Sequence, residues 1–108
     1  MDLVYIKFSD NFDTSNVNDI YNMFNMDSSL LYADLSSFNT SLVRRMEGIF
    51  DYCENLSYID LSSFNMSRVN DTKSMFYNVA KNGTIKISKL FGEYKKLIPS
   101  IWNIIVVE

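Results

Sequence analysis

The sequence predicts an α/β fold, a short right-handed solenoid with parallel strands on one side and short helices on the other. Two observations carry that prediction. Asp34-Leu35-Ser36-Ser37-Phe38-Asn39-Thr40 returns as Asp60-Leu61-Ser62-Ser63-Phe64-Asn65-Met66, 26 residues later. The offset also holds far outside the phrase: Phe12, Phe38 and Phe64 share it, as do Val17, Val43 and Val69, Met23, Ile49 and Met75, and Phe24, Phe50 and Phe76. Self-similarity at a fixed period of this size is the signature of stacked repeats, none of which can bury its apolar side alone. The expected organisation is a repeat region over 1–88, about three repeats of 26 residues with terminal strands, followed by a degenerate capping segment over 89–108.

The first half of each unit alternates. In Leu30-Leu31-Tyr32-Ala33-Asp34-Leu35 and Leu56-Ser57-Tyr58-Ile59-Asp60-Leu61, apolar residues occupy the inward places of a period-two pattern, which predicts a strand with one buried face. Leu3 to Phe8 fits the same half, and Thr84-Ile85-Lys86-Ile87 falls 26 residues after Tyr58. Gly83 is placed to turn the chain into that last strand. The second half runs from Val17 to Phe24, Val43 to Phe50 and Val69 to Phe76, with apolar residues at i, i+3, i+6 and i+7. That spacing predicts two turns of amphipathic helix, capped by Thr14-Ser15-Asn16, Thr40-Ser41 and Ser67. Strands separated by helices must run parallel, and such crossovers are right-handed as a rule.

Beyond Ser88 the repeat degrades. Leu90, Phe91, Tyr94 and Leu97 form a helical face that Pro99 stops. Ile101 to Val107 is β-branched and apolar, and the tail is expected to cover the open end of the array. The N-terminal end has no counterpart, as expected of a truncated array or of an end that receives a partner.

Composition narrows the function classes. The chain has 108 residues and a net charge of −3, so it is one domain without the basic footprint of a nucleic-acid binder. It has no histidine, the commonest general base and metal ligand. The single cysteine, Cys53, has no partner for an internal disulfide and no evident activating neighbour. No apolar run reaches the ~20 residues of a membrane span, and Met1-Asp2-Leu3-Val4-Tyr5 does not resemble a secretory leader. The chain is either intracellular or a piece of a longer one. Neither a cofactor nor a catalytic constellation is expected. The expected partner is a protein, with no nucleic acid and no membrane insertion, and the chain itself a monomer or part of a longer array.

Leu56-Ser57-Tyr58-Ile59-Asp60-Leu61-Ser62-Ser63-Phe64-Asn65, followed by Val69 and Met75-Phe76, resembles the BspA-like leucine-rich-repeat family of bacterial surface proteins and mycoplasma lipoproteins. Cys53 sits at the family's consensus cysteine. Asp27 and Val79 stand there in the neighbouring units, Asn82 replaces the following leucine, and Arg44-Arg45 and Thr72 also depart from the pattern. The resemblance covers residues 3–88. It implies a leucine-rich-repeat-like solenoid used for adhesion or protein binding, at a cell surface or secreted, with no catalytic residue.

The candidate binding residues are the outward strand positions: Tyr5, Lys7, Tyr32, Asp34, Tyr58, Asp60 and Lys86. One reading makes them a recognition surface, since tyrosine offers rigid contact area with a polar tip. The other makes them sheet support, through stacked rings and Lys–Asp pairs. Asp34 beside Asp60 is a like-charge pair, kept either for recognition or for a local turn hydrogen bond. Arg44-Arg45 reads as a solvated helix face or a small anion contact. The sequons at Asn39, Asn55, Asn65, Asn70 and Asn82 are either glycosylation acceptors or by-products of an Asn/Ser/Thr-rich repeat.

Overall fold

The computed structural model describes residues 3–108. Five strands form one parallel sheet in chain order: β1 (Val4–Lys7), β2 (Leu30–Asp34), β3 (Tyr58–Leu61), β4 (Thr84–Ser88) and β5 (Asn103–Val107). A unit is taken below as one strand with the chain leading to the next. From β2 to β4 the register follows the 26-residue offset: Tyr32 lies opposite Tyr58, Ala33 opposite Ile59, and Asp34 opposite Asp60. Leu61 then lies opposite Ile87. β1 meets β2 with a register shift between Val4 and Tyr5, and β5 pairs with β4 from Asn103 opposite Thr84. The predicted strands are therefore present at the predicted pairing.

Inward residues build the core. Leu30, Ala33, Leu35, Ile59, Leu61 and Ile85 are wholly buried. Two phenylalanine stacks run through the units. Phe24, Phe50 and Phe76 stack with centroids 5.9 Å apart at each step, and Phe38 lies 6.2 Å from Phe64. Phe12 begins the second stack, 5.7 Å from Phe38, but stands at the end of the molecule and is 44 % exposed.

The second half of each unit is not helical. A helix directs each N–H to the carbonyl four residues back. Here every second N–H crosses to the next unit: Ile20 to Arg45, Asn22 to Glu47, Phe24 to Ile49 and Met26 to Asp51. Met46, Gly48, Phe50 and Tyr52 repeat the pattern toward Asp71, Lys73, Met75 and Tyr77. Two residue positions per unit are left-handed. Asn22, Gly48 and Ser74 share one, with φ of 57°, 67° and 58°; Met26, Tyr52 and Asn78 share the other, with φ of 62°, 61° and 55°. Each left-handed residue bends the chain, so the apolar residues at helix-like spacing mark successive corners facing the core. Gly48 meets its position without a side chain: a Cβ there would run into Asn22 Oδ1.

The expected helix caps do other work. Thr14 Oγ1 donates to the Asn39 carbonyl at 3.0 Å and accepts from the Asn39 N–H at 2.7 Å. Thr40 makes the same pair of bonds to Asn65, at 3.0 and 2.8 Å. Both threonines are buried and clasp one unit to the next. Met66 occupies the third position and has no hydroxyl; its N–H donates instead to the Leu90 carbonyl.

The tail departs from expectation as well. Lys89–Leu97 forms 3₁₀ turns rather than an α-helix, broken at Gly92, where φ is 62° and ψ is −142°. Ser88 caps its start by accepting from the Leu90 N–H. Phe91, Ile98 and Trp102 enter the core, and the Trp102 indole N–H donates to the Ala80 carbonyl at 2.9 Å. β5 then extends the sheet by one strand, pairing in parallel with β4. Gly83 does admit the chain to β4 by close approach: a Cβ on it would lie 2.6 Å from the Ser57 carbonyl oxygen and 2.9 Å from Trp102.

Candidate functional site

Alternation along β1 to β4 brings the outward residues into two columns, Tyr5–Tyr32–Tyr58–Thr84 and Lys7–Asp34–Asp60–Lys86. The tyrosine rings stack face to face. Tyr5 and Tyr32 are 5.5 Å apart at 22°, and Tyr32 and Tyr58 are 4.4 Å apart at 8°. Tyr32 and Tyr58 are half-buried by this contact, whereas Tyr5 ends the ladder and is 67 % exposed. Because ring faces cover one another, the ladder offers mainly ring edges and hydroxyls, and Tyr5 at its end is the most exposed ring. Burial pushes the Tyr58 phenol up, as do the charges of Tyr32 and Asp60, against an opposing Lys86. Tyr58 therefore stays a protonated hydroxyl donor.

The acidic column is less available than its period suggests. Burial is the strongest single influence on Asp34 and disfavours its charge. Hydrogen bonds from Ser36 together with Lys7 and Lys86 outweigh it, and the carboxyl is held below its ordinary range. Asp34 Oδ1 accepts from the Ser36 N–H at 3.0 Å, and Lys7 Nζ stands 4.0 Å from Oδ2. Asp60 is corrected from an outward contact to a buried one: it is 8 % exposed, and its Oδ1 accepts from the Ser62 N–H at 2.9 Å. Both aspartates thus hold the turn that follows the strand, which offsets their like charge. Of the seven candidates, Tyr5 and Lys7 are open to solvent, Tyr32, Asp34, Tyr58 and Lys86 are half-buried, and Asp60 is enclosed.

The rest of the repeated phrase is scaffold. Ser37 and Ser63 hydroxyls reach back to the carbonyls of Phe8 and Leu35 in the preceding unit. The Asn39 and Asn65 side chains accept from the N–H groups of Ser41 and Ser67, and Asn55 Nδ2 donates to the Ser28 carbonyl at 2.7 Å. Cys53 is buried, its thiol donating to the Phe24 carbonyl at 3.0 Å, and burial pushes its pKa up to about 11. Such a thiol is unreactive at neutral pH.

One cluster escaped the sequence reading. Arg45 lies on the turn side, not on a helix face. Its guanidinium sits 4.2 Å over the Tyr21 ring, donates from Nη2 to Glu47 Oε2 at 2.8 Å, and stands 3.9 Å from Asp19. The signal was present: Asp19, Arg45 and Asp71 share one 26-residue column, and the backbone bridges run through all three. Tyr21 and Asp19 belong to the preceding unit, so the guanidinium ties two units together while its side chain stays 45 % exposed.

Among the described residues, no group of three or more His, Cys, Asp or Glu is arranged to hold a metal ion. Nor is any helix among them long and apolar enough to cross a membrane.

A family model described as "Mycoplasma protein of unknown function, DUF285" matches residues 4–90. The chain belongs to that family. The match spans β1 to β4 and the start of the 3₁₀ segment and leaves most of the tail outside. No curated protein and no solved structure matches the chain.

Proposed function

We propose that this DUF285 member is a right-handed, leucine-rich-repeat-like solenoid of the BspA-like kind, and that it serves as a non-enzymatic protein-binding or adhesion module of a surface-type protein. Binding takes place on the outer strand face. The observation that carries this reading is the Tyr5–Tyr32–Tyr58 ladder, flanked by Lys7 and Lys86. Stacked rings are already ordered, so little side-chain entropy is lost when a partner docks on them. Their edges and hydroxyls favour the carbonyls and side-chain oxygens of a polypeptide over a planar ring, which would need a free aromatic face.

Peptides selected from a display library against the wild-type chain supply the probe. Replacing Tyr5, Tyr32 and Tyr58 together by Ser should weaken their binding at least about tenfold, the loss of ~1.4 kcal/mol, with the circular dichroism spectrum unchanged. Unchanged affinity across the selected peptides would sink the strand-face assignment.

A second reading has its own support. The close Tyr32–Tyr58 stack and the Lys7–Asp34 pair are what a sheet needs for its own cohesion. In that case the segment is a structural spacer, and exchanging it for another repeat block leaves the parent protein's binding intact.

A further inference from the structure

The sheet has two unpaired edges, β1 and β5, and apolar side chains gather at both. On β5, Ile104 and Val106 lie opposite the inward residues Ile85 and Ile87. Ile85 and Ile87 are buried, yet Ile104 is 38 % and Val106 55 % exposed. The difference is that Ile85 and Ile87 are sandwiched between strands, whereas no strand among the described residues pairs on the far side of β5. Natural edge strands usually carry a charge or a proline that blocks strand addition. Asn103–Val107 carries neither. At the opposite edge Val4 and Phe12 are exposed and Phe8 is half-buried; β1 does carry one charge, Lys7, which stands on the outward face beside Asp34 and away from the apolar columns.

The two edges match. One inward column runs Ile6–Ala33–Ile59–Ile85–Ile104 through all five strands. The next runs Leu61–Ile87–Val106, and Phe8, directly after β1, stands at its other end. We propose that a second copy of this chain docks head to tail, its β1 adding in parallel to the β5 edge. Ile104 then meets the incoming Ile6, and Val106 the incoming Phe8. The new junction continues the same apolar columns that already hold β2 to β3 and β3 to β4. It is heterologous and leaves one free β5, so growth past two copies is expected unless the rotation closes a ring. This inference rests on the inward columns rather than on the tyrosine face, but the same register sets the exposed Tyr5 ring beside Asn103 of the next copy, so docking covers that end of the tyrosine ladder.

Sedimentation of the wild-type chain over a concentration series tests it. The expected result is a mass that rises with concentration beyond two copies. Monomers at every concentration up to about 1 mM, the weak end of specific affinity, would overturn it. Two variants give direction: Ile104→Lys with Val106→Lys closes the β5 edge, and Val4→Lys with Phe12→Lys closes the β1 end. Each alone should be monomeric, and an equimolar mixture should form a one-to-one dimer, because one intact junction remains. A dimer that persists in the Val4/Phe12 variant and is lost only in the Ile104/Val106 variant means symmetric β5–β5 pairing, and overturns the proposal. Hydrogen exchange on the wild type reads the same question without variants. Amides of Val4–Lys7 and Asn103–Val107 should gain protection together as concentration rises, and protection confined to β5 would contradict head-to-tail docking.

Discussion

The strand side and the turn side of each unit solve one problem in two ways. Both stack on the next unit through parallel backbone hydrogen bonds. On the strand side every residue is extended, side chains alternate, and half of them form the outward tyrosine and charged columns, open to solvent at Tyr5 and Lys7 and progressively covered toward Asp60. On the turn side the backbone bends at two left-handed residues per unit, and the ladder survives between the bends. The strand side can therefore vary its outward residues without touching the core, whereas the turn side is constrained by conformation as well as packing. That contrast explains why the candidate site lies on the strands.

Substitutions can break this comparison at different depths. The largest loss is expected from Phe50→Ala. The ring is wholly buried and stacked on Phe24 and Phe76, so both sides should melt in one transition, with ~3–5 kcal/mol lost in chemical denaturation. Two separate transitions would mean that the sides fold independently. Thr40→Val comes next. It removes the buried hydroxyl that serves both backbone groups of Asn65, at a cost of about 1–3 kcal/mol. Thr14→Val, one unit earlier at the end of the array, should cost less, because the Asn39 groups lie nearer to solvent there.

Gly48→Ala probes the turn side alone. Its left-handed backbone and the Asn22 carboxamide both oppose a Cβ, and about 1–2 kcal/mol of destabilisation is expected. Asn22→Ala in the same chain should restore part of it, and no restoration would place the whole cost in the backbone. The smallest effect concerns pH. Asp34 is held below its ordinary carboxyl value of 3.8 in the folded chain, so it contributes stability that is complete above that value and is lost as pH falls below it. Asp34→Asn should flatten this acid limb in urea titrations at pH 2 to 5 by slightly lowering the neutral-pH midpoint, with the midpoint at pH 2 nearly unchanged; an identical acid limb in the variant would remove Asp34 from the account.

The site was legible where two periods coincided. Alternation within a strand and the 26-residue offset between strands together place Tyr32 on Tyr58 and Asp34 beside Asp60, as observed. They could not give depth. Asp60 is enclosed because strands flank it on both sides and its carboxylate folds back to Ser62, whereas Lys7 lies on the edge strand with solvent beside it. The Arg45 cluster was missed for a related reason. A helix would have pointed Arg45 to solvent, and only the stacked turns bring Asp19, Tyr21 and Glu47 around it.

The sequence by itself determined the repeat, its strands, their parallel order and register, and the identity of the core columns. A 26-residue offset leaves each apolar residue only its own counterpart to stack on. Tertiary structure alone decided the shape of the turn half. Apolar residues spaced three and four apart suit a helix face and a chain of tight corners equally well, and local pattern does not choose between them. The choice falls to the hydrogen bonds between units: in the first two turn halves every second N–H crosses to the next unit, and the third receives them at the carbonyls of Asp71, Lys73, Met75 and Tyr77, so no helix ladder forms.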